Sequence, residues 1–268
     1  MAQTGTAVGV NPSAEARADA GVRTLSVGAD VSVGEQVVTG DRGQVQLLFS
    51  DETKLVVGPN SALLIESYLL RGGNSVAQFT VNAFAGSFRF ITGNGPSSAY
   101  QIKTPTGTIG VRGTEFDFEV DEAGQTSVLL YNGAVEMCSA SGVCTTLTET
   151  CQIGAYNPSN ALVFDPDQRN QATGAFPYLQ SQRPLLQPFQ VSSQRDCQAP
   201  TAGSAQNLLN QEPPQSLSTT GGHTLDGCRV SEGPGNYPGN YPGNYYDYEG
   251  EGPNWPGPNP NDCNFGTD

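Results

Sequence analysis

Between residues 24 and 150, apolar and polar side chains alternate with period two in short runs, broken by Gly and turn residues every eight to twelve positions. In an extended chain this period sends successive side chains to opposite faces, so each run reads as a half-buried β-strand. Val45, Leu47 and Phe49 share one face in QVQLLF (44–49), and Leu55 and Val57 do so in TKLVVG (53–58). The pattern recurs at Ala77, Phe79 and Val81, at Phe88 and Phe90, at Phe116, Phe118 and Val120, and at Val128 and Leu130. At least ten such runs are present, and the connections between them are too short for crossover helices. The pattern therefore predicts an all-β domain of many short strands over residues 21–150, built as a sandwich, a barrel or a β-solenoid.

Residues that bend the chain punctuate this domain. Gly58-Pro59-Asn60 and Asp41-Arg42-Gly43 read as turns between strands. In TPTGTIGVRGTEF, Pro105 keeps Thr104 extended, while Gly107, Gly110 and Gly113 recur every third residue. That spacing suits positive φ or close backbone stacking. Arg112 could brace such a turn by pairing Glu115, or its guanidinium fork could hold a ligand carboxylate; the ion pair is the expectation. Glu115, Asp117 and Glu119 alternate along one strand and point away from Phe116 and Phe118. Such a row is ordinarily a solvated face, and it is a weak candidate for a hard cation because the loop of an EF-hand is absent.

Composition then divides the chain. Of 19 Pro, 4 lie in residues 1–150 and 15 in 151–268, as in RPLLQPF (183–189), EPPQ (212–215) and WPGPNPN (255–261). Pro removes ladder donors and interrupts helices, so a largely irregular C-terminal region is expected. Its segments are a Cys-containing extension over 151–232 and a Gly/Pro/Tyr-rich low-complexity tail over 233–268, where GNYP repeats place Tyr237, Tyr241 and Tyr245 four residues apart. These tyrosines and Trp255 could contact a polymer, although the composition favours a plain linker. Residues 1–20 are expected to form an N-terminal arm.

The six cysteines, Cys138, Cys144, Cys151, Cys197, Cys228 and Cys263, begin where the predicted packed domain ends. An even count in a segment poor in apolar periodicity reads as disulfide stapling and an oxidising compartment. Cys138 and Cys144 flank a five-residue Gly-containing loop and should close a hairpin. The remaining four allow three connectivities. Their spacings are wider than those of zinc motifs, and no metal or cofactor is expected. Periplasmic or extracellular placement follows, although residues 1–21 show no basic stretch followed by an apolar one of the kind that makes a signal peptide.

Charge narrows the partners. With 12 basic against 26 acidic side chains, a net charge of -14 and two lysines, Lys54 and Lys103, the chain lacks the cationic stripe that nucleic acid requires. No apolar run reaches the roughly 18 residues of a transmembrane segment. A single His223, and the absence of a G-x-S-x-G elbow, a P-loop or a dinucleotide fingerprint, make enzymatic chemistry the minor expectation.

VGEQVVTGDRGQVQLLFSDETKLVVGPNSALLI (33–65), AGSFRFITG (85–93) and YQIKTPTGTIGVRGTEFDFEVDEAGQTSVLLYNGAVEM (100–137) resemble the FecR domain family. TGDRGQVQLLFSDETKLVVGPNS and KTPTGTIGVRGTEF are the most specific pieces. The resemblance implies an extracytoplasmic β-domain, solenoid-like in the family's sensor proteins. In the family's iron-responsive regulators a cytoplasmic sigma-factor-binding segment and one transmembrane helix precede this domain, and a receptor-docking module follows. Neither end of this chain matches that plan. The expectation is an exported, non-enzymatic binding, sensing or scaffolding module working through protein contacts with an envelope protein. The alternatives are a self-associating surface protein and, less favoured, a polysaccharide-active β-solenoid enzyme using acids such as Glu115 and Asp117.

Overall fold

The computed structural model describes residues 4–71 and 75–198. Fifteen strands join through hydrogen bonds into one continuous network. They are β1 Gly5–Asn11, β2 Ala14–Ala18, β3 Gly21–Leu25, β4 Asp30–Val31, β5 Gln36–Val38, β6 Gln44–Phe49, β7 Lys54–Val57, β8 Ala62–Arg71, β9 Ser75–Ile91 and β10 Tyr100–Thr104. After these come β11 Gly107–Val120, β12 Thr126–Ser139, β13 Cys144–Leu147, β14 Ile153–Tyr156 and β15 Ala161–Val163. The all-β expectation is met.

Three long strands fold this network into two layers. The first half of β9 pairs β8 and β10, while its second half pairs β7 and β11. In β11, residues 107–110 pair β10 and residues 115–120 pair β9. In β12, residues 126–129 pair β14 and residues 135–138 pair β13. Each changes layer at a glycine with positive φ: Gly86 (102°), Gly113 (67°) and Gly133 (84°). An L side chain is disfavoured there, and a Cβ on Gly133 would also run into the carbonyl oxygen of Gly113 on the neighbouring strand. One layer, here sheet I, is β4-β1-β6-β7-β9-β11-β12-β14-β15; sheet II is β3-β2-β5-β8-β9-β10-β11-β12-β13.

The period-two residues meet between the layers. Leu47, Phe49, Phe88, Phe90, Phe116, Phe118, Val128 and Leu130 from sheet I face Ile65, Phe79, Val81, Ile102, Ile109 and Met137 from sheet II in one buried core. Phe79 of sheet II sits edge-on to Phe49 of sheet I at 4.8 Å, and Phe88 stacks on Phe118 at 4.7 Å. Aromatic pairs at such distances add about 0.5–1.5 kcal/mol each beyond their burial.

Several expectations need correction. Residues 1–20 are not simply an arm: β1 and β2 lie there, with Ala7, Ala14 and Ala16 buried in the core. The β-structure does not stop at 150, because β14 pairs β12 and β15 pairs β14. Residues 164–198 are irregular but packed. Asp165 caps α1 (Pro166–Ala172) through a capping box with Gln168, with Pro166 at the first helical position, where its missing N–H costs nothing. Fourteen of the fifteen strand pairings are antiparallel and only β9–β10 is parallel, so antiparallel ladders dominate the network.

Candidate functional site

The two sheets treat their outer faces differently. Sheet I is sheathed by residues 164–198. Phe176, Leu179 and Val191 pack on Leu129, Tyr131 and Ile153, while Tyr178, Leu185 and Phe189 pack around Val56. Polar groups are matched across this contact: Gln46 Nε2 donates to the Pro184 carbonyl and its Oε1 accepts from Leu186 N–H. The Cys151–Cys197 disulfide ties the end of the sheath back to the sheet margin, and Arg169 donates to the carbonyls of both cysteines.

Beneath the sheath lies a charged pair that periodicity does not reveal. Arg89 stands opposite Asp117 in the β9–β11 register, and both are essentially unexposed. The guanidinium Nε and Nη2 donate to the two Asp117 oxygens at 2.6 and 2.9 Å, and the Tyr131 hydroxyl donates to Asp117 Oδ2 at 2.9 Å. Arg89 also donates to Gln182 Oε1, which lies on the sheath. Burial pushes the Asp117 carboxyl up, against the opposing pull of Arg89 and the Tyr131 hydroxyl. Burial, reinforced by Asp117, also raises the Tyr131 phenol.

The row Glu115, Asp117, Glu119 does point away from Phe116 and Phe118, but it is not a wet face. Asp117 is sealed by Arg89, Tyr131 and the sheath, so it is closed to a cation or a substrate. Glu115 and Glu119 are partly buried, and no group of three metal-ligating side chains occurs among the described residues. Glu119 and Asp121 line a cavity of about 450 Å³ against α1. Burial there, with Asp121 nearby, raises the Glu119 carboxyl.

A second buried acid belongs to the SDETKL stretch. Asp51 is fully buried and is surrounded by hydroxyls: Thr53 Oγ1, Tyr100 OH and Tyr68 OH donate to it at 2.6, 2.9 and 3.0 Å. These donors satisfy the carboxylate without a cation. A Cβ on Gly95 would come within 2.7 Å of the Tyr100 hydroxyl, and one on Gly93 would collide with the Asp51 carbonyl. The motif therefore builds a hub joining the β6–β7 turn to β8 and β10.

The remaining motif residues are mostly structural. Gly58 N–H donates to the Ser87 carbonyl and Asn60 adopts φ 50°, making the β7–β8 turn. Pro105 sits in the two-residue turn of the β10–β11 hairpin, and Gly107 passes against the Cys138 carbonyl and the Tyr156 ring. Gly110 has neither a positive φ nor a close neighbour, so the backbone need expected of it is not found. Arg112 does not brace Glu115. The bend at Gly113 parts them, and Arg112 lies instead 3.8 Å from Glu136 on β12, with both side chains exposed. Cys138 and Cys144 are register partners in the β12–β13 hairpin and form a disulfide. Of the other four cysteines, Cys151 pairs Cys197, whereas Cys228 and Cys263 lie outside the described residues, as do His223, Tyr237, Tyr241, Tyr245 and Trp255.

Sheet II by contrast carries no sheath of described residues. Its outer surface shows Lys103 with Glu66 at 2.6 Å, Asn82 with Glu66, and the loose Arg112–Glu136 contact. β3, β13 and β15 each pair with one neighbour and leave an edge, and Val22, Leu162 and Val163 are exposed on β3 and β15.

These features define an all-β domain of two stacked sheets, closed on one outer face and open on the other. Residues 35–136 match the family described as FecR protein; β1–β4 and β13–β15 extend the same sheets beyond the matched stretch, and the sheath covers sheet I. No curated protein is similar in sequence. Two crystal structures of a protein assigned as an anti-sigma factor from Parabacteroides distasonis ATCC 8503 are similar in fold, at 13% identity and a TM-score of 0.39 and at 12% and 0.40. Each similarity covers 52% of this chain and 63% or 62% of the other, so the chain spans less than two thirds of their length.

Proposed function

We propose that this chain is an exported, non-enzymatic module of the bacterial cell envelope that binds, senses or scaffolds through protein–protein contact. The observation that carries the reading is a FecR domain whose sheet I is sheathed and whose strand edges at β3, β13 and β15 are left to meet a partner. Two disulfides favour a periplasmic or extracellular setting, since thiols stay reduced in the cytosol. Among the described residues no helix is long and apolar enough to cross a membrane.

A second reading is self-association through sheet edges, favoured by exposed Leu162 and Val163 on the terminal strand β15. In-cell crosslinking of the tagged protein in its native envelope, with mass spectrometric identification, separates the two. Capture of a receptor or membrane regulator supports the sensing module; capture of the chain alone, or of wall polymer alone, rejects it.

A further inference from the structure

The outer face of sheet II holds a groove of about 910 Å³. Its geometry follows from register. Thr80, Gln101, Gly110 and Glu136 are successive partners across β9, β10, β11 and β12, forming a row perpendicular to the strands. Gln78 and Arg112 lie two residues along their strands from Thr80 and Gly110, and strand side chains repeat on one face every second residue, so they form a parallel row beside it. The floor is low because Gly110 has no side chain. A Cβ there would touch nothing nearer than Glu136 at 3.8 Å, so packing does not require the glycine, and its effect is to keep the groove open.

The polar groups of this groove are unspent. Thr80 lines the groove, and its hydroxyl is not spent on another side chain among the described residues. Gln78 and Gln101 make no side-chain hydrogen bond among the described residues, and Arg112 and Glu136 approach only to 3.8 Å. These side chains leave amide and hydroxyl donors and acceptors free to meet a ligand in the groove.

The chemistry of the lining selects the ligand class. Phosphate chains are unsuited, because the single cation lies beside a carboxylate on a protein of net charge -14. An apolar ligand or a peptide anchored by large side chains is unsuited, because the floor is glycine and alanine beneath amides and hydroxyls. We infer that the sheet II groove binds a neutral oligosaccharide lying across β9–β12. Its adjacent hydroxyls would accept from Arg112 and the Gln78 and Gln101 amides, and donate to Glu136 and Thr80.

The test is titration of the isotope-labelled full chain with cellohexaose, maltohexaose and chitohexaose, and separately with a pool of capped polar hexapeptides, followed by NMR. The expected result is saturable binding of at least one saccharide at a Kd of ~1 mM or tighter, with shifts centred on Thr80, Gln101 and Gly110. Gly110→Val fills the floor and suits a strand, so it should retain the fold while weakening binding at least ~10-fold, a loss of about 1.4 kcal/mol. Gln101→Ala should weaken binding without changing the spectrum elsewhere. No saccharide binding up to about ten times that concentration, binding unaffected by Gly110→Val, shifts centred elsewhere, or binding of the peptides alone would each overturn the inference.

Discussion

Asp117 and Arg89 form a buried pair whose parts are worth more together than singly. Removing one partner leaves the other charge without compensation in a dry site, so Asp117→Ala should cost about 3–5 kcal/mol in chemical denaturation. The double change Arg89→Met with Asp117→Leu should come much closer to the parent, since matched apolar groups remove both desolvation penalties. Equal losses in the single and double variants would show that shape, not charge, holds this position. Glu119 is expected to act through pH. Its folded carboxyl lies above the ordinary 4.5, so the folded state holds the proton longer than the unfolded state as pH rises. Stability therefore falls as pH rises from 4.5 through the folded value, and that loss persists above it. Glu119→Gln should raise the melting temperature at neutral pH, and the gain should vanish below pH 4.5. A gain of the same size at every pH would exclude this cause.

At the scale of elements, the Cys151–Cys197 bridge closes a loop with a sequence separation of 46 around α1 and the sheath. Loop-closure entropy gives such a bridge about 4 kcal/mol. Cys151→Ser with Cys197→Ser should lose an amount of that order in urea unfolding, whereas the short Cys138–Cys144 hairpin, at a separation of 6, should matter less. The strands themselves were readable because each presents an alternating face to one core. The layer changes were harder to read: Gly86, Gly113 and Gly133 look like any turn glycine, and only the partners on either side show that one strand serves two sheets. The sheath was unreadable as a packed layer because its proline-broken turns have no period; its apolar residues are placed by sheet I, not by one another.

At the scale of the molecule, the sheath makes the two outer faces unequal. A chain ending after Phe164 would bare Val56, Leu129, Tyr131 and Ile153 together with Arg89 and Asp117. Such an exposed apolar face promotes association. That truncation should sediment as dimers or larger species and bind a hydrophobic dye, while the full chain should not bind the dye. A monomeric, dye-negative truncation would mean that the sheath is dispensable to the sandwich. The open face of sheet II, with its polar groove and loose Arg112–Glu136 contact, is the surface on which recognition is proposed.

The sequence by itself determined the all-β class, the inward-facing residues, the Cys138–Cys144 hairpin and the FecR character, because each depends on neighbours close in the chain or on a motif read directly. Tertiary structure alone decided that Asp117 is buried, that Arg112 meets Glu136 rather than Glu115, that Cys151 pairs Cys197, and that Thr80, Gln101, Gly110 and Glu136 form one row. The physical reason is common to all four. Period two tells which side of a strand a residue occupies, whereas what covers that side, and what stands beside it, depends on strands and segments tens of residues away.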